Sequence, residues 1–304
     1  MTNQLPYHLP HVRGEYRFRF SLAPLTWFKV GGLSEVFYRP VDLKDLQYFL
    51  QNLDPMVPIF VIGAGSNLLI RDGGMDGIVI KLNKSFANID IQDQYLTVGA
   101  GCLNYNLALY CVEHQITGFE FLSGIPGTIG GGIAMNAGAY GSEFKDSIVS
   151  IRALDRDGNI VSYTNHEIGF GYRKNSLPDN LIFIDATFKY QKGSIVEINK
   201  RMLNIENARK ATQPIYEKTC GSTFANPVGY SAWKLINDAN IRHHVVGNAR
   251  ISEKHCNFLI NKGSASAQDL EDLGEFIRNE VYRQFNIRLQ WEIKRIGKYL
   301  PQQS

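Results

Sequence analysis

The chain has 304 residues, 44% of them hydrophobic and 20% charged, which describes an ordinary soluble globular protein with room for two or three domains. A net charge of +3, with Lys and Arg scattered, argues against a nucleic-acid or anionic-membrane partner. No apolar run approaches the ~20 residues of a spanning helix, and "MTNQLPYHLPHVRGEYRFRF" lacks the apolar centre of a signal peptide, so a cytoplasmic protein is expected.

In chain order, "EVFYRP" reads as a strand. "DLKDLQYFLQNL" reads as a helix with Leu43, Leu46, Phe49, Leu50 and Leu53 on one face, and "VPIFVIG" as a buried strand running into "GAGSNLLIRDGG". Short strands follow in "GIVIKL", "NIDIQ" and "YLTVGAG", then a helical "LNYNLALYCVEHQ" and the glycine-rich "SGIPGTIGGGIAMNAGAYG". "SIVSIRALDRDGNIVSYT" reads as a hairpin turning at Asp157-Gly158, and "LIFIDATFKY" as another strand. A helix over residues 195–212 marks a boundary. Beyond it, Ser266 and Asp269 form a capping-box pattern for a helix carrying Leu270, Leu273, Phe276, Ile277 and Val281. In "IRLQWEIKRIG", Ile287, Leu289, Trp291 and Ile293 alternate with Arg288, Gln290, Glu292 and Lys294, as the two faces of one strand.

The four cysteines, Cys102, Cys111, Cys220 and Cys256, have neither CxxC nor zinc spacing and read as free thiols. His243, His244 and His255 lie close in sequence without any metal motif, so no metal is expected. The segment from Gly124 to Gly141 holds seven glycines in 18 residues. Without Cβ atoms, its N–H groups can turn toward an anion such as a diphosphate, and "GAGSN" offers the same chemistry after a strand. Neither loop is a dinucleotide fingerprint, because position 68 is Leu68 rather than glycine, and no P-loop occurs. Two separate glycine loops point to a different cofactor fold.

The ordered set "TWFKVGG", "GAGSNLL", "GIPGTIGG", "NAGAYG", "GYRKNS", "CGSTFANP", "SAWKLI", "EKHCNFLIN" and "WEIKRIG" resembles the UDP-N-acetylenolpyruvoylglucosamine reductases. These flavoenzymes make UDP-N-acetylmuramate for peptidoglycan, and so serve cell-wall growth, cell shape and division. The resemblance spans roughly residues 24–297, and the short stretch between "YRKNS" and "CGSTF" is similar to the type II branch. It implies an α+β chain with an FAD-binding fold of the vanillyl-alcohol-oxidase type in two subdomains, over residues 1–70 and 71–195. A C-terminal α/β substrate-binding domain is implied over residues 205–290, with a final strand near 288–304 returning to the first subdomain.

The resemblance also implies non-covalent FAD, NADPH as hydride donor, UDP-N-acetylglucosamine enolpyruvate as substrate, and a monomer. Arg173, Ser222 and Glu292 match the family's catalytic positions; Tyr172, Asn226 and His255 match positions near the substrate. FAD contacts are expected from Gly63, Gly65, Ser66, Asn67 and Leu68 in the first loop. The second loop would contribute Gly124, Ile125, Pro126, Gly127, Thr128, Gly130 and Gly131, then Asn136, Ala137 and Gly138. One departure is Ala225, where the family often has lysine.

The implied reaction passes a hydride from NADPH to FAD and then to the alkene, leaving an enolate-like carbon that needs a proton. A serine is small enough to sit against that carbon, and an arginine can grip the adjacent carboxylate bidentately. A glutamate helps there when protonated or water-bridged. Taken alone, the same residues read as a turn serine, a surface ion pair and a solvated strand face. Cys220 reads as a small filler, with no cation beside it to make a thiolate. Another FAD-dependent oxidase or dehydrogenase of this fold, and a nucleotide-binding module without catalysis, are the alternatives. The lack of histidine between residues 115 and 165 argues against a histidyl-linked flavin.

Overall fold

A computed structural model describes residue 5 and residues 7–301. The segment read for a signal peptide begins in residues outside that description. The chain forms two compact units. One comprises residues up to Phe18, Glu35–Ala64 and Gly77–Asn207; the other comprises Arg19–Ser34, Gly65–Asp76 and the chain from Ala208 onward. Residues 1–70, read from the sequence as one subdomain, therefore contribute to both.

The first unit is built on an antiparallel five-stranded sheet in the order Ile160–Thr164, Ile148–Leu154, Ile182–Lys189, Tyr95–Gly99, Ile89–Gln92. The hairpin between its first two strands closes over residues 155–159, with Gly158 at φ +79°, so the expected Asp157-Gly158 turn is where the chain reverses. Helices Asn104–Glu113 and Ile129–Met135 belong to the same unit, whose core holds Phe119, Phe121, Phe144 and Phe188. Phe188 meets Phe119 and Phe144 edge-on. A second sheet, mostly in this unit, orders Glu15–Ser21, Leu33–Arg39, Met75–Ile80 and Ile59–Val61. Helix Leu43–Asn52 starts where Asp42 accepts the Asp45 N–H, and it buries Leu46, Phe49 and Leu50 as its periodicity predicts.

The second unit is organised by helix Ala267–Phe285. Ser266 and Asp269 make the expected capping box, and Asp72 also accepts the N–H groups of Ala267 and Gln268 at 3.0 Å each. Leu270, Leu273, Ile277 and Val281 are fully buried against Phe28, Leu69, Phe224, Leu259 and Leu289. Phe276 is the exception on the predicted face: it is partly buried and stacks on His244 at 3.5 Å. Val245–Val246, Ala249–Ile251 and Leu259–Asn261 form an antiparallel sheet.

The strand expected over residues 287–297 is interrupted. Gln290–Trp291 pairs antiparallel with Phe224–Ala225, whereas Lys294–Ile296 pairs parallel with Leu68–Ile70. The predicted alternation holds up to the bend, with Leu289 and Ile293 buried; beyond it the buried residue is Ile296.

Among the described residues no helix is long and apolar enough to cross a membrane, and no group of three His, Cys, Asp or Glu could hold a metal ion. Cys102, Cys111, Cys220 and Cys256 are free and buried.

Candidate active site

The first glycine loop leaves strand Ile59–Val61 at Ile62 and Gly63. A Cβ on Gly63 would lie 2.5 Å from Thr128 Oγ1, so glycine is what lets the first loop touch the second. Lys81 donates to the Gly63 carbonyl at 2.5 Å, and burial, then the like charge of Arg39, holds its ammonium below the ordinary lysine value. Gly65 adopts φ +67°, and a Cβ there would lie 2.0 Å from the Leu25 carbonyl. Ser66 and Asn67 lead into Leu68, whose strand runs beside Lys294–Ile296.

The second loop is only partly the anion nest its glycines suggest. Ile125 N–H bonds Leu122 O; Ile129 N–H bonds Cys102 O; Gly130 N–H bonds Ala100 O; Gly131 N–H bonds the Thr128 side chain. Several glycines answer to packing instead. A Cβ on Gly132 would meet the Phe144 ring at 2.2 Å, one on Gly124 the Tyr140 ring at 2.4 Å, and one on Gly138 the Glu143 side chain at 2.6 Å. Gly131 alone among these is exposed and unobstructed, at the first turn of helix Ile129–Met135. Thr128 caps that helix, Gly127 O accepts from Asn104, and Pro126 lies between Ile125 and Gly127 in the same loop.

Asn136 ends the helix in the left-handed region at φ +39° and is fully buried. Its amide donates to Glu143 and to the Gly171 carbonyl, both at 3.0 Å, and its oxygen accepts Lys145 N–H at 3.1 Å. These bonds commit the Asn136 side chain to shaping the loop. Ala137 likewise donates to Gly132 O and accepts from Phe144. Asn136 braces the turn 171–174, which carries Tyr172 and Arg173 and is closed by Gly171 N–H to Lys174 O at 2.9 Å. Arg173 sits at φ +57°, a costly region for a residue with a Cβ. Its guanidinium donates to Gly138 O at 3.1 Å and lies 5.2 Å from the centre of the exposed Tyr172 ring.

Ser222, Asn226, His255 and Glu292 all belong to the second unit, and Tyr172 and Arg173 to the first. Gly221, at φ +89° with open space around a notional Cβ, makes the turn that presents the half-buried Ser222. The next residue, Thr223, is fully buried, and its carbonyl accepts Glu292 N–H at 2.9 Å. Ser222 and Glu292 therefore stand on adjoining segments at the point where the last strand changes partner. Cys220 is buried and donates to Leu68 O at 3.3 Å; burial pushes its thiol up to about 12, which suits a filler and no nucleophile.

Asn226 accepts Ala232 N–H at 2.9 Å at the start of helix Ala232–Asp238. His255 packs edge-on to Phe258 at 4.7 Å, and burial, with Arg242 adding, keeps its imidazole below 6.5 and so neutral at neutral pH. A cavity of about 730 Å³ in the same unit is lined by Arg242, Arg250, Lys254 and Lys262, and by none of these four candidates.

A model of the UDP-N-acetylenolpyruvoylglucosamine reductase C-terminal domain matches residues 213–296, and one of an FAD binding domain matches residues 35–164. UDP-N-acetylenolpyruvoylglucosamine reductase of Rickettsia massiliae is 56% identical over 291 residues, 96% of this chain and 99% of that protein. The Rickettsia canadensis protein of the same name is 57% identical over 294 residues, with the same coverage. The chain belongs to the UDP-N-acetylenolpyruvoylglucosamine reductase family. The crystal structure of the Thermus caldophilus reductase matches with a TM-score of 0.81 at 32% identity, over 94% of this chain and 99% of that one.

The reductase family uses FAD, and the first loop fits that anion: its carbonyl at Gly63 is held by a partly buried cation whose like-charged neighbour is Arg39. Three residues that brace these candidate segments lie outside the sequence reading. Asn104 holds the second loop by donating to Ile125 O at 3.1 Å. Lys81 holds the first. Asn257 clamps the serine segment, exchanging two bonds with Phe224 at 3.0 and 2.8 Å and accepting Thr223 N–H at 2.8 Å. The "HCNF" motif contains Asn257, but only a folded chain says what it holds.

Proposed function

We propose that this reductase converts UDP-N-acetylglucosamine enolpyruvate to UDP-N-acetylmuramate, with NADPH as hydride source, as a cytoplasmic step of peptidoglycan precursor synthesis. The observation that supports the reading is the Thr223–Glu292 hydrogen bond, which joins the segments that carry Ser222 and Glu292. FAD, when bound, would supply the hydride-transfer chemistry between the nicotinamide and the terminal alkene carbon. Gly63, Gly65, Thr128 and Gly131, with the Lys81 cation, would hold its diphosphate side.

The carbon next to the carboxylate then becomes electron-rich. Ser222 Oγ gives that carbon its proton and draws a replacement from Glu292 or from solvent. The hydroxyl's virtue is size, since a charged acid lodged against carbon would lose its solvation. Arg173 binds the carboxylate and stabilises the developing enolate; its strained backbone and the Asn136 brace hold it ready for this. Glu292 serves best protonated or through a water, because a bare carboxylate would repel the enolate. Asn226 and His255 line the substrate's sugar or nucleotide, and Ala225 stands where the family often has a lysine.

Stopped-flow measurement of the two half-reactions in Ser222→Ala tests the reading. Flavin reduction by NADPH should stay near the wild-type rate, while reoxidation by the enolpyruvyl sugar slows by about 10²–10⁴-fold, and cysteine at 222 should restore part of it. Reoxidation at the wild-type rate would reduce Ser222 to a turn residue.

A further inference from the structure

The bend at residues 292–293 lies in neither of the two ladders that flank it. Both backbone polar groups of Glu292 are nonetheless engaged, one from each neighbouring segment. Its N–H is taken by Thr223 O at 2.9 Å, and its carbonyl accepts the side-chain amide of Asn67 at 3.0 Å. Asn67 then continues the contact with its own backbone, accepting Lys294 N–H at 3.0 Å. One asparagine thus supplies a side-chain bond where the ladder fails and a main-chain bond where it resumes. The serine segment rests on the same loop, since Cys220 Sγ donates to Leu68 O.

We infer that Asn67 is a positioning residue for Glu292. The proposal rests on the reading that Glu292 acts in the protonation half-reaction. The direction of a carboxylate is set by its Cα–Cβ bond, and hence by the backbone that Thr223 and Asn67 hold from opposite sides. Without the Asn67 amide, the Glu292 carbonyl loses its bond on that side, and the backbone that aims the carboxylate shifts. The loop that the sequence assigns to the cofactor therefore also aligns the acid, so the flavin loop and the proton-delivery residues share one seat.

The test uses the full-length holoenzyme in both half-reactions, and FAD affinity measured by titrating apoprotein with FAD and following flavin fluorescence. Asn67→Ala should slow reoxidation by roughly 10–10²-fold, the order expected from misplacing a reacting group by about an ångström. Because Asn67 lies on the loop expected at FAD, FAD affinity and flavin reduction by NADPH can fall as well, but reoxidation, compared at saturating FAD, should fall by a larger factor than either. In a Glu292→Ala background, Asn67→Ala should add almost nothing, because the group it aims is gone. Asn67→Asp keeps the shape but loses the donor until protonated, so its reoxidation rate relative to wild type should recover as pH falls. Losses that multiply in the double variant would overturn the proposal. So would a loss of FAD affinity matching the loss of rate, or an Asp variant that shows no recovery. Glu292→Ala alone tests the underlying reading: wild-type reoxidation there would overturn the role of Glu292, and the positioning role with it.

Discussion

Replacing Gly274 by alanine should destabilise the protein, although alanine is the better helix former. Gly274 lies within helix Ala267–Phe285, where the exchange alone is worth about 1 kcal/mol in favour of alanine. The added carbon, however, would lie 2.1 Å from Trp291 Cη2 and 2.3 Å from Cζ2, so the indole must retreat by roughly an ångström or more. It has little room to do so. Trp291 Nε1 donates to Glu275 at 2.7 Å, Arg295 lies 4.5 Å over the ring, and Phe224 meets it at 5.1 Å. Overpacking costs about 1–3 kcal/mol and a weakened bond to a carboxylate about 1.5–3, so after the helix gain of about 1 the net loss should be about 1.5–5 kcal/mol. Urea unfolding followed by tryptophan fluorescence reads this out in the second unit alone, because Trp27, Trp233 and Trp291 all lie there. Since Trp291 precedes Glu292, reoxidation of the reduced flavin should also slow. Trp291→Phe in the same chain should remove most of the penalty. A Gly274→Ala protein as stable as wild type, with normal reoxidation, would refute the reasoning.

Glu292→Gln should retain more reoxidation activity than Glu292→Ala, since an amide keeps the shape and can donate to an enolate; an alanine variant of wild-type rate would remove Glu292 from the site. Native Cys220 should resist alkylation at pH 8, and rapid labelling would mean that its contact with Leu68 opens readily. Burial alone would raise the Glu271 carboxyl, but bonds from Arg71 and Tyr299 and the charge of Arg295 hold it below its ordinary 4.5. Its stabilisation is therefore complete above pH 4.5 and is lost as pH falls through the lowered value; Glu271→Gln should cost about 3 kcal/mol at neutral pH, with the gap to wild type closing below pH 4.5. Acid precipitation should release the flavin into the supernatant, and a yellow pellet would show a covalent link.

Local order was legible in the sequence because its causes are local. The helix at Leu43–Asn52, the capping box at Ser266 and the reversal at Gly158 each follow from residues within one or two turns of one another. The order of short motifs carried the family, since each motif stands for a backbone that must approach something closely. Strand Glu15–Ser21 went unread although Tyr16, Phe18 and Phe20 alternate with Glu15, Arg17 and Arg19; most of its side chains are exposed, and the adjacent strand holds it. The glycines between 124 and 138 were legible as a requirement but not as a reason, because the Phe144 and Tyr140 rings that crowd Gly132 and Gly124 reach them only in the folded chain. The same holds for Asn136 and Asn67, whose composition and motif fit a cofactor loop equally well. Asn67 and Glu292 are 225 residues apart, and a single hydrogen bond over that distance leaves no period, cap or turn signal in either neighbourhood. Residue type and order were enough to nominate candidates for binding an anion or moving a proton. Which of them hold the others in place was decided by tertiary structure, because a side-chain amide shows its partner only once the backbone has brought the two together.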